Sequence, residues 1–208
     1  TFEENEYKEF LSAIRKCMKS GEIVRGHAIS DEFYYFVCII VHSYLRPTDR
    51  EAFALTHKDI TPNDDGTINL RVTKGKTGFR HSFSTELGLD FYNHLKRINC
   101  DYSKPDNYLF LPKMENRTHA NRTFQRMFNY VLETHNLKLD KDGQPRTTYS
   151  LRHYALQTRL NKSGGKVNIY DLARNAGTSV NQLERFYLKR MKVSKKQREN
   201  LNRFDSTE

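Results

Sequence analysis

Residues 68–84 read Ile68-Asn69-Leu70-Arg71-Val72-Thr73-Lys74-Gly75-Lys76-Thr77-Gly78-Phe79-Arg80-His81-Ser82-Phe83-Ser84. Ile68, Leu70 and Val72 alternate with polar neighbours, and Phe79, His81 and Phe83 alternate in the same way on the return. That is the two-residue period of extended chain. Gly75 and Gly78 supply the turn, and Asp65-Gly66 supplies another just upstream. Residues 57–84 are therefore predicted to form a small antiparallel sheet of about three strands. The hairpin carries two lysines, Lys74 and Lys76, at its turn.

On both sides of this stretch the pattern is helical. Phe2–Lys16 places Tyr7, Phe10, Leu11 and Ile14 on one face, with acidic residues early. Residues 31–45 are apolar all round and so predicted to be buried, with Ser30 as N-cap. Pro47 is predicted to end this helix, leaving Arg46 at its C-terminal edge. Further helices are predicted over 86–98, 119–135, 149–161, 168–175 and 180–190, the last with Ser179 and Gln182 at capping-box spacing. Loops rich in Asp, Lys, Pro or Gly fall at 99–107 and 137–147. The fold class is mostly α with a small antiparallel β-sheet, an α+β domain over residues 1–188. A charged tail, 189–208, follows it.

The 208 residues carry a net charge of +10. Residues 146–208 hold 14 Lys+Arg against 5 Asp+Glu, and residues 1–145 hold 21 against 20. Nearly all the excess thus lies in the last third. A solvated surface has no reason to concentrate charge in this way, whereas a polyanionic partner, nucleic acid above all, gives it one. Cys17, Cys38 and Cys100 are sparse and far apart. They fit a reducing cytoplasm and argue against a disulfide framework or a zinc site. The longest apolar run, Phe33–Val41, is too short to span a bilayer. The chain starts at Thr1 without Met, so a longer parent protein is expected.

Four short segments carry chemistry. They are Ser43-Tyr44-Leu45-Arg46-Pro47-Thr48, Lys74-Gly75-Lys76-Thr77-Gly78, Tyr149-Ser150-Leu151-Arg152-His153 and Glu184-Arg185-Phe186-Tyr187. Breaking a phosphodiester without a metal requires neutralising the phosphate, stabilising charge on its equatorial oxygens, protonating the leaving 5′-oxygen and supplying an in-line nucleophile. Guanidinium forks match phosphate oxygens two at a time. A lysine can donate the proton and a phenol can attack. Arg46, Arg152, Lys76 and Tyr187 meet these needs as a set. Singly each has an ordinary reading: Arg46 as a surface ion pair, Lys74 or Lys76 as a plain phosphate contact, Tyr187 as a core aromatic beside Phe186. His42, His57 and His81 lack metal-ligand spacing.

In context the segments resemble the catalytic domain of a tyrosine recombinase of the phage-integrase type. Leu45-Arg46-Pro47-Thr48-Asp49, followed by Leu55-Thr56-His57-Lys58-Asp59-Ile60, resembles the family's first arginine box. Lys74-Gly75-Lys76-Thr77-Gly78 resembles its hairpin lysine, and Tyr149-Ser150-Leu151-Arg152-His153-Tyr154-Ala155 its second arginine box. Gly177-Thr178-Ser179 followed by Phe186-Tyr187 resembles the nucleophile box, with Tyr187 nine residues after Thr178. The resemblance covers essentially the whole chain. It implies Tyr187 as nucleophile, giving a 3′-phosphotyrosyl link and a free 5′-hydroxyl, Arg46 and Arg152 as phosphate clamps, and Lys76 as proton donor. It also implies accessory roles for Tyr149, His153 and Thr178, and an acidic partner for Arg46 that is either Asp49 or Glu51. Two positions depart from the family: Tyr149 stands where a histidine is usual, and Thr178 where histidine or tryptophan is usual. A phenol and a hydroxyl keep the hydrogen bonding but are poorer acid–base groups near neutral pH than imidazole.

The resulting expectation is a cytoplasmic, metal- and cofactor-independent DNA strand-exchange enzyme. It would be monomeric when free and tetrameric on two double-stranded DNA sites, with residues 189–208 exchanged between protomers and no membrane association. Lys74, Arg80, Arg159 and Arg185 are the expected DNA contacts. The family's amino-terminal core-binding domain is expected to be absent from this chain. A type IB topoisomerase and a catalytically silent DNA-binding relative are the alternatives.

Overall fold

The computed structural model describes residues 1–186 except 77, 164 and 165, together with 198, 199 and 202. Tyr187 and most of the 189–208 tail lie outside the described residues.

The first helix, α1 (Glu4–Lys19), is followed by a two-stranded ribbon of β1 (Ile23–Val24) and β2 (His27–Ala28), and then by α2 (Asp31–Ser43). A three-stranded antiparallel sheet comes next, in the order β3 (Ile60–Pro62), β4 (Ile68–Gly75), β5 (Gly78–Phe83). The rest is helical: α3 (Gly88–Ile98), α4 (Arg117–Thr134), α5 (Tyr149–Lys162), α6 (Ile169–Ala176) and α7 (Val180–Phe186). Every helix expected from the 3.6-residue pattern is present, with ends shifted by no more than three residues where both ends are described. The β1–β2 ribbon was not expected. Its strands are too short to show a period, and its turn places Arg25 and Gly26 at φ 52° and 83° without the usual Asn-Gly signal.

α2 is the central helix, packed against α1, α3 and α5. Its Phe36 sits in an aromatic cluster with Phe124 at 4.9 Å, Phe110 at 5.1 Å and Phe53 at 5.2 Å between ring centres. A second cluster joins α1 to α4 and α5 through Phe10–Phe128 at 5.1 Å and Tyr7–Tyr154 at 4.4 Å. Through α4 and α1 these rings connect α2, which leads into Arg46, with α5, which carries Arg152. Among the described residues no helix is long and apolar enough to cross a membrane.

Two expectations are corrected. Pro47 does not end α2. The helix stops at Ser43, where Tyr44 adopts left-handed geometry at φ 58°, and Arg46 stands two residues beyond that reversal. The apolar alternation on the returning strand also points the other way. Leu70 pairs with Ser82 and Val72 with Arg80, and directly paired residues of antiparallel strands share a face. Ser82 and Arg80 therefore turn inward, while Phe79 and Phe83 are 61% and 49% exposed.

Candidate active site

The site is assembled around the C-terminal end of α6, which stops at Gly177 in left-handed geometry (φ 64°). A helix end leaves carbonyl oxygens without partners inside the helix. Here three consecutive ones each accept from a different arginine. Arg80 Nε donates to Asn175 O at 3.4 Å, Arg152 Nη2 donates to Ala176 O at 2.7 Å, and Arg46 Nη2 donates to Gly177 O. Arg152 Nη1 also donates to Tyr44 O, the carbonyl exposed by the left-handed turn that ends α2. Arg46 and Arg152, 106 positions apart in sequence, are thereby held by one helix terminus.

Glu51 decides the ambiguity over the acidic partner of Arg46. It is 1% exposed. Its Oε1 accepts from the Arg46 backbone N–H at 2.8 Å, and its Oε2 accepts from Arg46 Nη1 at 3.0 Å. Arg80 also donates to both oxygens, through Nη2 to Oε1 and through Nη1 to Oε2 at 3.3 Å. Burial by itself would raise the Glu51 carboxyl. The hydrogen bond and charge of Arg80, with the backbone N–H and charge of Arg46, outweigh it and hold the group below the ordinary carboxylate range. Asp49 turns elsewhere and accepts from Thr118 Oγ1 at 2.9 Å.

Arg46, Lys76, Tyr149, Arg152, His153 and Thr178 line one cleft of about 400 Å³, with Ser179 and Gln182 on its α7 side. Lys76 reaches it from the exposed hairpin turn. Tyr149 opens α5 and is 36% exposed, its ring centre 6.2 Å from that of His153. α7 begins beside the cleft, where the Gln182 backbone N–H donates to Ser179 Oγ at 3.2 Å, one half of the expected capping box. Tyr187 directly follows the last residue of α7 in sequence and lies outside the described residues. The arrangement gathers two guanidiniums, an ammonium, a phenol, an imidazole and a hydroxyl around one open space.

The four residues expected to touch DNA separate. Lys74 and Arg185 are exposed; Arg185 sits in the last turn of α7. Arg159 is exposed and lines a neighbouring groove between β5, α5 and α6 instead of the cleft. Arg80 is the exception and its expectation is revised: its side chain is 9% exposed and its guanidinium is committed to Glu51, because register turns it inward. The sequence reading missed Arg80 as a support, and it missed Ser179 and Gln182 as cleft residues. The pairing of Val72 with position 80 was the signal available for Arg80. Among the described residues no group of His, Cys, Asp or Glu is clustered to hold a metal ion. His42 is away from the cleft with Nδ1 2.6 Å from Thr85 Oγ1, and burial pushes it down to about 4.

Gly177 is required twice. Its φ is left-handed, and a Cβ there would lie 2.7 Å from Arg80 Nε. Gly177→Ala is expected to cost about 1–2 kcal/mol from the backbone alone, with displacement of Arg80 in addition. Urea unfolding would read it, and an unchanged midpoint would contradict this account of the turn.

Neither a protein-family model nor a curated protein matches the sequence. Solved structures do resemble the fold. XerA recombinase superposes with a TM-score of 0.64 at 17% identity, covering 96% of this chain and 62% of that one. XerH site-specific recombinase, in a post-cleavage complex with palindromic difH substrate, gives 0.66 at 18% identity over 96% and 51%. The Tn1549 transposon integrase in complex with circular intermediate DNA gives 0.60 at 18% identity over 96% and 65%. The chain spans about half to two thirds of the length of these structures. The mostly helical chain with its small antiparallel sheets thus has the fold that these tyrosine recombinase and integrase structures share.

Proposed function

We propose that this chain is the catalytic part of a site-specific DNA recombinase or integrase that cuts and rejoins strands through a covalent 3′-phosphotyrosyl link, without metal ion or ATP. The observation that carries the reading is the single cleft lined by Arg46, Lys76, Tyr149, Arg152, His153 and Thr178, residues drawn from segments up to 132 positions apart. In it the two guanidiniums clamp the non-bridging oxygens and stabilise the charge that grows on them in the transition state. Tyr187 Oη attacks phosphorus, the P–O5′ bond breaks, and Lys76 gives its proton to the 5′-oxygen. His153 is the group assigned to receive the phenol's proton. Tyr149 and Thr178 donate hydrogen bonds to the phosphate. The covalent link retains the bond energy, so a second 5′-hydroxyl can be joined with no external energy source.

The DNA-bound state of XerH and of the Tn1549 integrase supports double-stranded DNA as the partner, as does the charge of the last third. A tetramer on two sites, a free monomer, exchange of the 189–208 tail and a cytoplasmic location belong to the same proposal.

The test is a nicked suicide duplex, whose cleavage releases a short strand and traps the adduct. The wild-type chain is expected to give a denaturant-stable protein–DNA species that retains a label placed on the strand 5′ of the break, the strand whose 3′-phosphate the protein holds. DNA binding without that species would instead make the protein a silent relative, the outcome that Tyr149 and Thr178 leave room for. Adduct that relaxes supercoils but never joins strands between two sites would indicate topoisomerase chemistry. Arg152→Lys, which keeps the charge and loses the fork, is expected to slow adduct formation about ten- to a hundredfold, the loss of one charge-assisted hydrogen bond.

A further inference from the structure

We propose that Arg80 is a positioning residue for the cleavage reaction: acting through Glu51, it sets the orientation of the Arg46 guanidinium and keeps that part of the cleft positively charged. The inference rests on the strand-cleavage reading above.

Arg46 and Glu51 are both buried and 3.0 Å apart. A guanidinium and a carboxylate in that geometry sum to zero, and a phosphate entering the cleft would meet a neutralised pair. Arg80 adds a second guanidinium to the same carboxylate. The triad then carries +1, so Arg46 can turn toward an anion while Arg80 satisfies the carboxylate.

Each Glu51 oxygen accepts one donor from Arg46 and one from Arg80, so the carboxylate cannot rotate about its own axis without breaking a bond. Arg80 also reaches Asn175 O and packs against Gly177 so closely that no Cβ fits. The Asn175 side chain in turn bonds Phe83 N and O at 2.6 and 3.0 Å. One side chain therefore links the strand that leads from Lys76, the loop that carries Arg46, and the turn that carries Thr178. Arg80 itself does not line the cleft, so it acts through those neighbours.

Three variants test this: Arg80→Gln, Arg80→Lys, and the double variant Arg80→Gln/Glu51→Gln. Two readouts are used. The first is the rate of adduct formation at saturating nicked duplex. The second is the affinity for inorganic sulfate, followed through the Arg46 Nε–H resonance. Arg80→Gln is expected to weaken sulfate about fivefold or more, because the triad falls from +1 to zero, and to slow adduct formation about tenfold or more. The double variant restores +1 and is expected to recover sulfate affinity to within about twofold of wild type. Arg80→Lys keeps the charge but loses the two-pronged grip. Its sulfate affinity is expected to stay within about twofold while the adduct rate falls.

A merely structural Arg80 predicts the reverse order, with the double variant at least as impaired as the single one. That result overturns the proposal, as does an Arg80→Gln protein equal to wild type in both readouts. A wild-type adduct rate in Arg80→Lys overturns the orienting role, and this comparison remains if Arg80→Gln does not fold. Absence of adduct from the wild-type chain would overturn the strand-cleavage reading alone, and the sulfate series would still decide what Arg80 does.

Discussion

Tyr187→Phe is expected to form no covalent adduct with a nicked duplex, while unfolding stability and DNA affinity stay within about twofold of wild type. The substitution removes one oxygen and keeps the ring, so it deletes only the hydroxyl assigned as nucleophile. The prediction is sharp because the cleft holds a second phenol. Tyr149 is 36% exposed and lines the same space as Arg46 and Arg152, whereas Tyr187 is assigned by its spacing from Thr178. The two assignments separate by experiment. If Tyr149 only donates a hydrogen bond to the phosphate, Tyr149→Phe loses about 1.5–3 kcal/mol of transition-state stabilisation, roughly ten- to a hundredfold in rate. Adduct would still accumulate at long times. Adduct that persists in Tyr187→Phe and vanishes in Tyr149→Phe would move the nucleophile to the start of α5. Mapping the modified peptide checks the same point directly.

Helices such as α1 and α4 were legible because each carries an apolar stripe at helical spacing, α2 because it is apolar all round, and the hairpin because Gly75 and Gly78 interrupt a two-residue alternation. The cleft was legible in a different way: its members are common residues whose local contexts, taken in order, resemble one family. What was not legible depends on which way a side chain turns. Asp49 and Glu51 are two positions apart and both suit a carboxylate partner. The short 3₁₀ turn over Ala52–Ala54 follows directly on Glu51, which points inward, while Asp49 bonds to α4 through Thr118. Arg80 was hidden for a related reason. The alternation of Phe79, His81 and Phe83 looks like a buried face, yet the register places Ser82 opposite Leu70 and Arg80 opposite Val72. Ser82 is accommodated because its hydroxyl donates to Ser43 O at 3.1 Å. Hydropathy alone assigns the larger aromatic face to the core, and only the pairing partner reveals that a charged network needs the other one. The backbone carbonyls that hold the arginines, at Tyr44, Ala176 and Gly177, have no side-chain signature at all.

Glu51→Ala is expected to destabilise the folded chain by about 3–5 kcal/mol near neutral pH, the usual cost of removing one partner from a buried ionic network. It would leave Arg46 and Arg80 side by side with no anion between them. Asp49→Ala, which removes one hydrogen bond to Thr118, is expected to cost about 0.5–1.5 kcal/mol. The reverse ranking in urea unfolding would show that Asp49 is the true support of Arg46. The pH dependence gives a second check. The Glu51 carboxyl is held below its ordinary value in the folded chain, against about 4.3 when unfolded. A depressed folded value means that the unfolded state takes up the proton first. The stabilisation from Glu51 is thus fully present above the unfolded value and is lost as pH falls through the folded one. The stability gap between wild type and Glu51→Ala should be constant from neutral pH down to about 5, and should close as the medium is made more acidic than about 4. A gap that widened on acidification would mean that Glu51 is protonated in the folded chain. In that case the arginines would be held by the α6 carbonyls alone, and the charge that Glu51 is assigned to balance would be absent.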